Sequence, residues 1–490
     1  MDNPEAPSSK PIALKDGATR LFLDETVVAQ RRGVTLTVHS GKVRDQPVLE
    51  PDQPWEGSRI NIYGTVLRDP ESGKFRMWYQ CGPESSAISI GQDGEGLQHV
   101  DRPGRGDRVM HATSEDGIHW VKPELGFYRY EGSTANNILY NFHTPSVIVD
   151  SRETDPARRY KMAGYQGGDP KGGYRAAYSA DGLRWYPYEK EIILPGGDTL
   201  TLTQHPETGE FLAYHKQHTE IRGFRRRLIY LSRSSDFQDW TEPELVLAPD
   251  EIDDLWTIGP DQRTEFYIMS VFPWGGIFVG LVAVLQVTRI HAGPRRDLQQ
   301  SPVDGPCATE LVYSHDGVGW HRLKERARVI PTGAPGRFDE GMILAVANAP
   351  VEVGNEMWIY YAAFNTGHGA TMPPKRATIG LATWRRDGFV SLDGGASGGE
   401  VETVPLETEA GALYVNANAS RGSLRVEVLD ESGVVVPGYS REECSPVEGD
   451  GIRLRVRWRE RSLLPAGSSI RLRFLPVNAQ LFSFSQGAEK

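Results

Sequence analysis

The chain has 490 residues, 65 of them acidic and 54 basic, giving a formal net charge of −11 with histidine neutral. That balance argues against nucleic acid or an anionic membrane as partner, and no apolar run reaches the length of a membrane span. The three cysteines, Cys81, Cys307 and Cys444, lie far apart with no CxxC pair, which argues against a zinc knuckle or a dithiol redox centre.

The start, MDNPEAPSSKP, lacks the charged-then-apolar form of a signal peptide, as expected of a cytoplasmic chain or of an exported one whose leader has been removed. Residues to about Lys15 are polar and read as loose. Strand patterns begin with Arg20-Leu21-Phe22-Leu23-Asp24 and Val34-Thr35-Leu36-Thr37-Val38. A first unit then has a strand over Asn61–Leu67, a turn at Asp69–Gly73, a strand over Phe75–Cys81 and a third at Val109–Ala112. The third strand runs into Ser114-Glu115-Asp116-Gly117-Ile118-His119-Trp120.

That last motif, S-x-D-[GF]-x-x-W, recurs at Ser179–Trp185, Ser234–Trp240 and Ser314–Trp320. Each copy follows a short apolar strand; Asp and Gly turn the chain in three of them, and the Trp is expected to plug the turn from below. Motifs at a loose period of about 40–80 residues mark repeated β units. The same order of strands recurs from Ser146, from Thr199, from Phe266 and from Met342. The fifth unit ends in a degraded motif around Trp384–Phe389, and the N-terminal strand is expected to pair with it and close a ring. The motifs read as scaffold and carry no chemistry. Arg225-Arg226-Arg227 reads as a solvated strand end.

After the glycine-rich stretch 393–399 the pattern becomes period-two alternation, as in Ile452–Trp458 and Ile470–Phe474, the habit of strands in a β-sandwich. No long amphipathic helix is visible. The expected organisation is therefore all-β: a five-bladed propeller over residues 1–392, including an N-terminal strand segment 1–45, followed by a β-sandwich over 400–490.

In a propeller the innermost strand of every blade starts at the same mouth, so residues just before those strands converge. Read this way, the first unit offers Glu56, Arg59 and Asn61, the second His143, the third Asp198, the fourth Arg263 and Glu265, and the fifth Asp339 and Glu340. Acidic groups at four of five starts are what glycosidic cleavage needs: one carboxyl protonates the leaving oxygen while another attacks or activates water. Asp198, Glu265 and Glu340 are the catalytic candidates. Glu56, Arg59, Asn61, His143, His215, Arg263, Asp339 and His368 are the candidate substrate contacts. Each has a plainer reading: Asp198 follows two glycines as a turn residue would, and His143 reads equally as a packed ring. No cofactor is expected to be required, although gathered carboxylates would also suit a divalent ion such as Ca²⁺.

The order of inner strand, turn, aromatic strand Phe75-Arg76-Met77-Trp78-Tyr79-Gln80 and S-x-D-G-x-x-W resembles the five-bladed glycoside hydrolases of families 32, 43, 68 and 130. Leu21–Asp24, Pro47-Val48-Leu49 with Trp55-Glu56-Gly57, and Leu413–Ala417 resemble most a bacterial group of family-32-like glycosidases. The resemblance implies a glycosidase with a carbohydrate substrate, acting for example on a furanoside. The family 32 nucleophile motif Asn-Asp-Pro-Asn-Gly is absent, with Asn61-Ile62-Tyr63-Gly64 in its place, and Arg68-Asp69-Pro70 lies at the wrong end of its strand. A glycan-binding propeller without catalysis, and a carbohydrate phosphorylase or lyase, are the alternative readings.

Overall fold

A computed structural model describes residues 11–82, 91–92, 98–99, 107–166, 172–294, 300–371, 374–467 and 469–488. Among the described residues there is no α-helix; strands are joined by turns and short 3-10 segments. The chain is all-β, as its alternation and turn chemistry require.

Between residues 42 and 385 the strands form five successive antiparallel runs, the fourth and fifth joined into one ten-stranded sheet by a parallel contact between Cys307 and Met342, beside two small sheets at Gly91–Gln92, Gln98–His99 and Tyr128–Arg129 and at Arg289–Ile290 and Val303–Asp304. The first strands of these five units are Ile60–Arg68, His143–Val149, Leu200–Gln204, Arg263–Trp274 and Met342–Val346. Each pairs with a second strand, and that with a third. Lys42–Val43 supplies the outer strand of the fifth unit by pairing with Ala377–Arg385. First strands touch their neighbours in cyclic order, the fifth against the first. They are therefore buried on both faces, which is why they read as near-continuous apolar runs.

Small hydroxyls stitch this inner ring. Thr65 Oγ1 donates to Val147 O at 2.6 Å, Ser146 Oγ accepts from Leu202 N at 2.8 Å, and Thr201 Oγ1 donates to Met269 O at 2.5 Å. Ser270 Oγ then donates to Val346 O at 2.8 Å. Asn348 completes the circuit, its Nδ2 donating to Ser146 Oγ at 2.7 Å and Thr65 Oγ1 at 3.0 Å.

The recurring motif is scaffold, and its bonds are the same in all four copies. Each Ser hydroxyl accepts the N–H three residues on at 2.9 Å. Each Asp Oδ1 accepts two further N–H groups at 2.8–2.9 Å. The turn also glues units together. Trp78 Nε1 donates to Gly182 O at 2.7 Å, Tyr214 OH to Gly317 O at 2.7 Å and Tyr360 OH to Gly117 O at 2.8 Å. In each case the second strand of one unit reaches the turn of the next, and Tyr360 links the fifth back to the first.

The remaining strands form a curled sheet built on the long strand Ala412–Leu429, paired with Val447–Arg455, Ser469–Val477 and Ala479–Gly487. The N-terminal segment was expected to group with the first 392 residues. Only Lys42–Val43 pairs there; Ile12–Leu14, Thr19–Leu21, Val28–Arg32 and Val34–Val38 all pair with strands between Val390 and Gly487. Those partners offer open edges, and an edge left unpaired exposes a row of backbone donors and acceptors. Apolar slabs lie between neighbouring units, another, with Trp458 and Phe474, lies under the C-terminal sheet, and one joins the two parts, packing Leu21, Leu23 and Val390 against Phe272, Tyr313 and Trp384 of the fourth and fifth units.

Candidate functional site

Asp198 sits just before the first strand of the third unit. Its φ is +118°, a glycine-like value that an aspartate adopts only when its surroundings enforce it. Three groups do so. Thr144 Oγ1 donates to its carbonyl at 2.6 Å, His143 Nε2 lies 2.7 Å from Oδ1, and the Lys216 ammonium donates to Oδ2. The Lys216 side chain is 1% exposed, while that of Asp198 is 25% exposed. Burial opposes ionisation of Asp198, but Lys216 and then His143 outweigh it and hold the carboxyl well below the usual range.

His143 opens the first strand of the second unit and lies between two carboxylates. Nδ1 is 2.9 Å from Asp107 Oδ2 on one side, and Nε2 meets Asp198 on the other. Gln80 braces this arrangement: its Oε1 accepts Thr144 N at 2.6 Å, so its amide nitrogen donates to Asp107 Oδ1 at 2.8 Å. Burial favours the neutral ring; Asp107 first and Asp198 next overcome it, and the imidazole pKa is raised. Gln80 Nε2 also lies 2.9 Å from His143 Nδ1; a doubly protonated ring donates to both acids, whereas a neutral ring protonated at Nε2 accepts from Gln80 at Nδ1, and the raised pKa favours the former. Arg59 Nη2 adds a looser contact to Asp107 at 3.8 Å.

Tyr267, in the first strand of the fourth unit, joins this chain to a second. Lys216 Nζ lies 4.3 Å from its ring centroid and the Arg227 guanidinium carbon 5.2 Å. The His368 ring packs edge-on at 5.1 Å. His368 Nδ1 faces Val303 O at 3.1 Å; burial, with Arg227, Lys375 and Lys216 around it, pushes its pKa well down and keeps the ring neutral. Arg227 Nη1 donates to Glu265 Oε2 at 2.5 Å, and Arg263 Nε donates to Oε1 at 2.8 Å. Glu265 is thus closed on both oxygens and buried.

Of the expected site residues, Arg59, His143, Asp198, Arg263, Glu265 and His368 therefore belong to one connected network. Five stand apart from it. Glu56 is buried under Tyr79 OH at 2.6 Å, Lys122 Nζ at 2.7 Å and two backbone N–H groups. Asn61 is buried with its Oδ1 unpartnered. His215 faces away from Lys216, toward Ser232 Oγ at 3.2 Å, and burial lowers its pKa to about 4. Asp339 is held by Tyr361 OH at 2.9 Å and Arg337 Nε at 3.1 Å. Glu340 is half-buried in the loop before Met342, where Oε2 accepts Gly336 N at 2.5 Å.

The network also contains residues outside the expected set: Asp107, Gln80, Lys216, Arg227 and Tyr267. Asp107 and Gln80 flank a third and end a second strand, so a rule based on first-strand starts passes over them. Arg227 was expected at a solvated strand end and is instead half-buried, its side chain 12% exposed. Arg226 lies buried, donating to Thr264 O at 2.9 Å. A basic run in an acidic chain was the available signal. Among the described residues no group of three or more His, Cys, Asp or Glu is arranged to hold a metal ion.

No family model matches the chain, and no curated protein matches it. Solved structures do. A family 43 arabinoxylan arabinofuranohydrolase from Bacillus subtilis, in complex with cellotetraose, is 11% identical, covering 91% of this chain and 99% of its own at a TM-score of 0.37. The family 32 β-fructofuranosidase BmSUC1 of Bombyx mori is 12% identical over 91% of this chain and 94% of its own, with a TM-score of 0.39. An N-acetylgalactosamine deacetylase from F. plautii, in complex with blood group B trisaccharide, is 17% identical over 72% and 96%, with a TM-score of 0.43. The chain is similar in structure to these proteins; similarity at this level carries no argument about activity.

Proposed function

We propose that the protein is a glycoside hydrolase, its five units forming a five-bladed propeller with the site at one mouth, and its C-terminal sheet a β-sandwich. One observation carries this reading: Asp198, at a first-strand start, is partly open to solvent and fixed by His143 and Lys216, which hold its carboxyl well below the usual carboxylate range. An anchored carboxylate of that kind serves as nucleophile or as the base that activates water. Glu340, outside the network around Asp198 but at the start of the fifth unit's first strand, is the candidate acid, because its carboxyl is half-buried and its one hydrogen bond among the described residues comes from a backbone N–H. Glu265 positions Arg227 and does not itself reach substrate. The reaction so written uses no cofactor.

The test is hydrolysis of a glycan panel, furanosides first, by the wild type and by Asp198→Asn and Glu340→Gln. Loss of about 10²–10⁴-fold in each variant is expected if the pair performs acid–base work. Full activity in Asp198→Asn overturns the assignment. A binding-only reading has one observation in its favour: Asp107 and Glu265, the carboxyls joined to Asp198 through shared partners, are both closed by ion pairs. Tight glycan binding by the wild type with no turnover would establish that reading instead.

A further inference from the structure

An acidic chain has gathered cations at this mouth. The acids of the network are Asp107, Asp198 and Glu265. Against them stand Arg59, Lys216, Arg227 and Arg263, with His143 between the first two acids and Lys375 donating to His368 O at 2.7 Å. Glu265 is shared by two arginines. Asp107 serves Gln80 and His143 before it meets Arg59 at 3.8 Å. Lys216 and Arg227 rest on the same Tyr267 ring, so their charges add at one place. Among the described residues of this partly desolvated network positive charge therefore exceeds negative charge, whereas the chain as a whole carries −11. A well of one sign with low-dielectric walls concentrates ligands of the opposite sign. Guanidinium groups are the donors that suit a planar carboxylate.

We propose that the sugar bound beside Asp198 carries a carboxylate, that the substrate class is a uronic-acid-containing glycan, and that Arg59 and Arg227 receive the anion. This rests on the hydrolase reading above and narrows it. The excess of cations also explains why a neutral histidine, His368, is tolerated there: a second imidazolium beside Arg227 and Lys216 would add repulsion without a partner.

The test uses the full chain and uronate trisaccharides of the gluco, galacto and manno series, each against its neutral counterpart, with calorimetry and product analysis. The wild type is expected to bind at least one uronate at least tenfold tighter than its neutral match, with affinity falling as salt is raised. Arg59→Gln is expected to reduce uronate affinity by about tenfold more than it reduces affinity for the neutral match. Arg59 is preferred over Arg227 because removing Arg227 strips buried Glu265 of one of its two cations; a thermal melt checks that the variant is folded. Equal affinity for every matched pair, salt-independent binding, or preference for a sulfated over a uronate trisaccharide overturns the proposal. The two readings separate cleanly. Hydrolysis of neutral glycans without uronate preference rejects the substrate class and keeps the hydrolase. Salt-sensitive uronate binding without turnover keeps the anion site and rejects the hydrolase.

Discussion

Asp198 combines two costs that an ordinary turn residue avoids: a backbone in the positive-φ region and a carboxylate taken partly out of water. Its partners hold it there, so each should be sensitive to its loss. Asp198→Asn leaves the Lys216 ammonium buried without its anion and should lower stability by about 1–3 kcal/mol. Adding Lys216→Met should recover part of that loss, which equilibrium denaturation of the single and double variants will show. His143 gives a pH signature of its own. Its pKa is raised above 6.5 in the fold, so its stabilising contribution is complete below about pH 6.5 and is lost as pH rises through the higher folded value. Asp198, lowered from 3.8, has the opposite sense: its contribution persists down past pH 3.8 and vanishes only at more acid pH. The stability advantage of wild type over His143→Gln should therefore shrink between pH 6 and pH 9. Denaturation curves that stay parallel across that range would contradict the doubly protonated ring. At this scale the sequence was half legible. First-strand starts led to His143, Asp198 and Arg59, because convergence follows from topology alone. Asp107 and Arg227 were hidden, since neither begins a first strand and a triple arginine looks like surface.

Among the elements, the junction between the second and third units shows how the fold compensates for a missing staple. Trp78, Tyr214 and Tyr360 occupy equivalent places in their second strands and each bonds a turn carbonyl of the next unit. The equivalent residue of the second unit is Ala163, and the turn it faces carries Phe237 where the others carry Gly. Phe237 accepts a φ of +68° and is fully buried in the cluster that contains Ala163. Its ring takes the volume that Trp or Tyr fills elsewhere. Phe237→Gly should relieve the backbone yet cost about 3–5 kcal/mol through the cavity it leaves. Combining it with Ala163→Trp should restore much of the loss, since that pair recreates the Trp78–Gly182 arrangement. Chemical denaturation in a double-mutant cycle measures the coupling; strict additivity would mean that the two sites do not share one space. The motif itself was readable because its Ser, Asp and Gly satisfy local backbone groups. Its role between units was not, since the aromatic donor lies 103 residues away for Tyr214 and 243 for Tyr360.

For the whole molecule, closure depends on the two ends of the chain. Lys42–Val43 completes the fifth unit, while the strands just before it lie in the C-terminal sheet. A boundary near residue 392 was expected from the change of strand pattern; the strand Val390–Gly394 runs through that point and pairs with Val34–Val38 and Ala479–Gly487. Which edge the N-terminal strands choose depends on backbone groups exposed elsewhere, and alternation in a short segment carries no record of its partner. The pairing makes the two halves interdependent: removing 400–490 would strip Ile12–Leu14, Thr19–Leu21 and Val28–Arg32 of their partners. Full-length protein should therefore melt in one transition, and a chain cut at residue 395 should lose solubility rather than yield an independent ring. Ring closure has its own probe in Asn348, whose amide bridges the first and second units from the end of the fifth unit's inner strand. Asn348→Ala abandons Thr65 and Ser146 at the centre and should cost about 1–3 kcal/mol. Because Thr65 and Ser146 lead on to Val147 and Leu202, the loss should also loosen the inner strands of the first three units together. Hydrogen exchange is the decisive measurement. Faster exchange at Val147 and Leu202 than at strands of the C-terminal sheet would show that the ring is held as a circuit, and unchanged exchange there would show that each unit stands on its own packing.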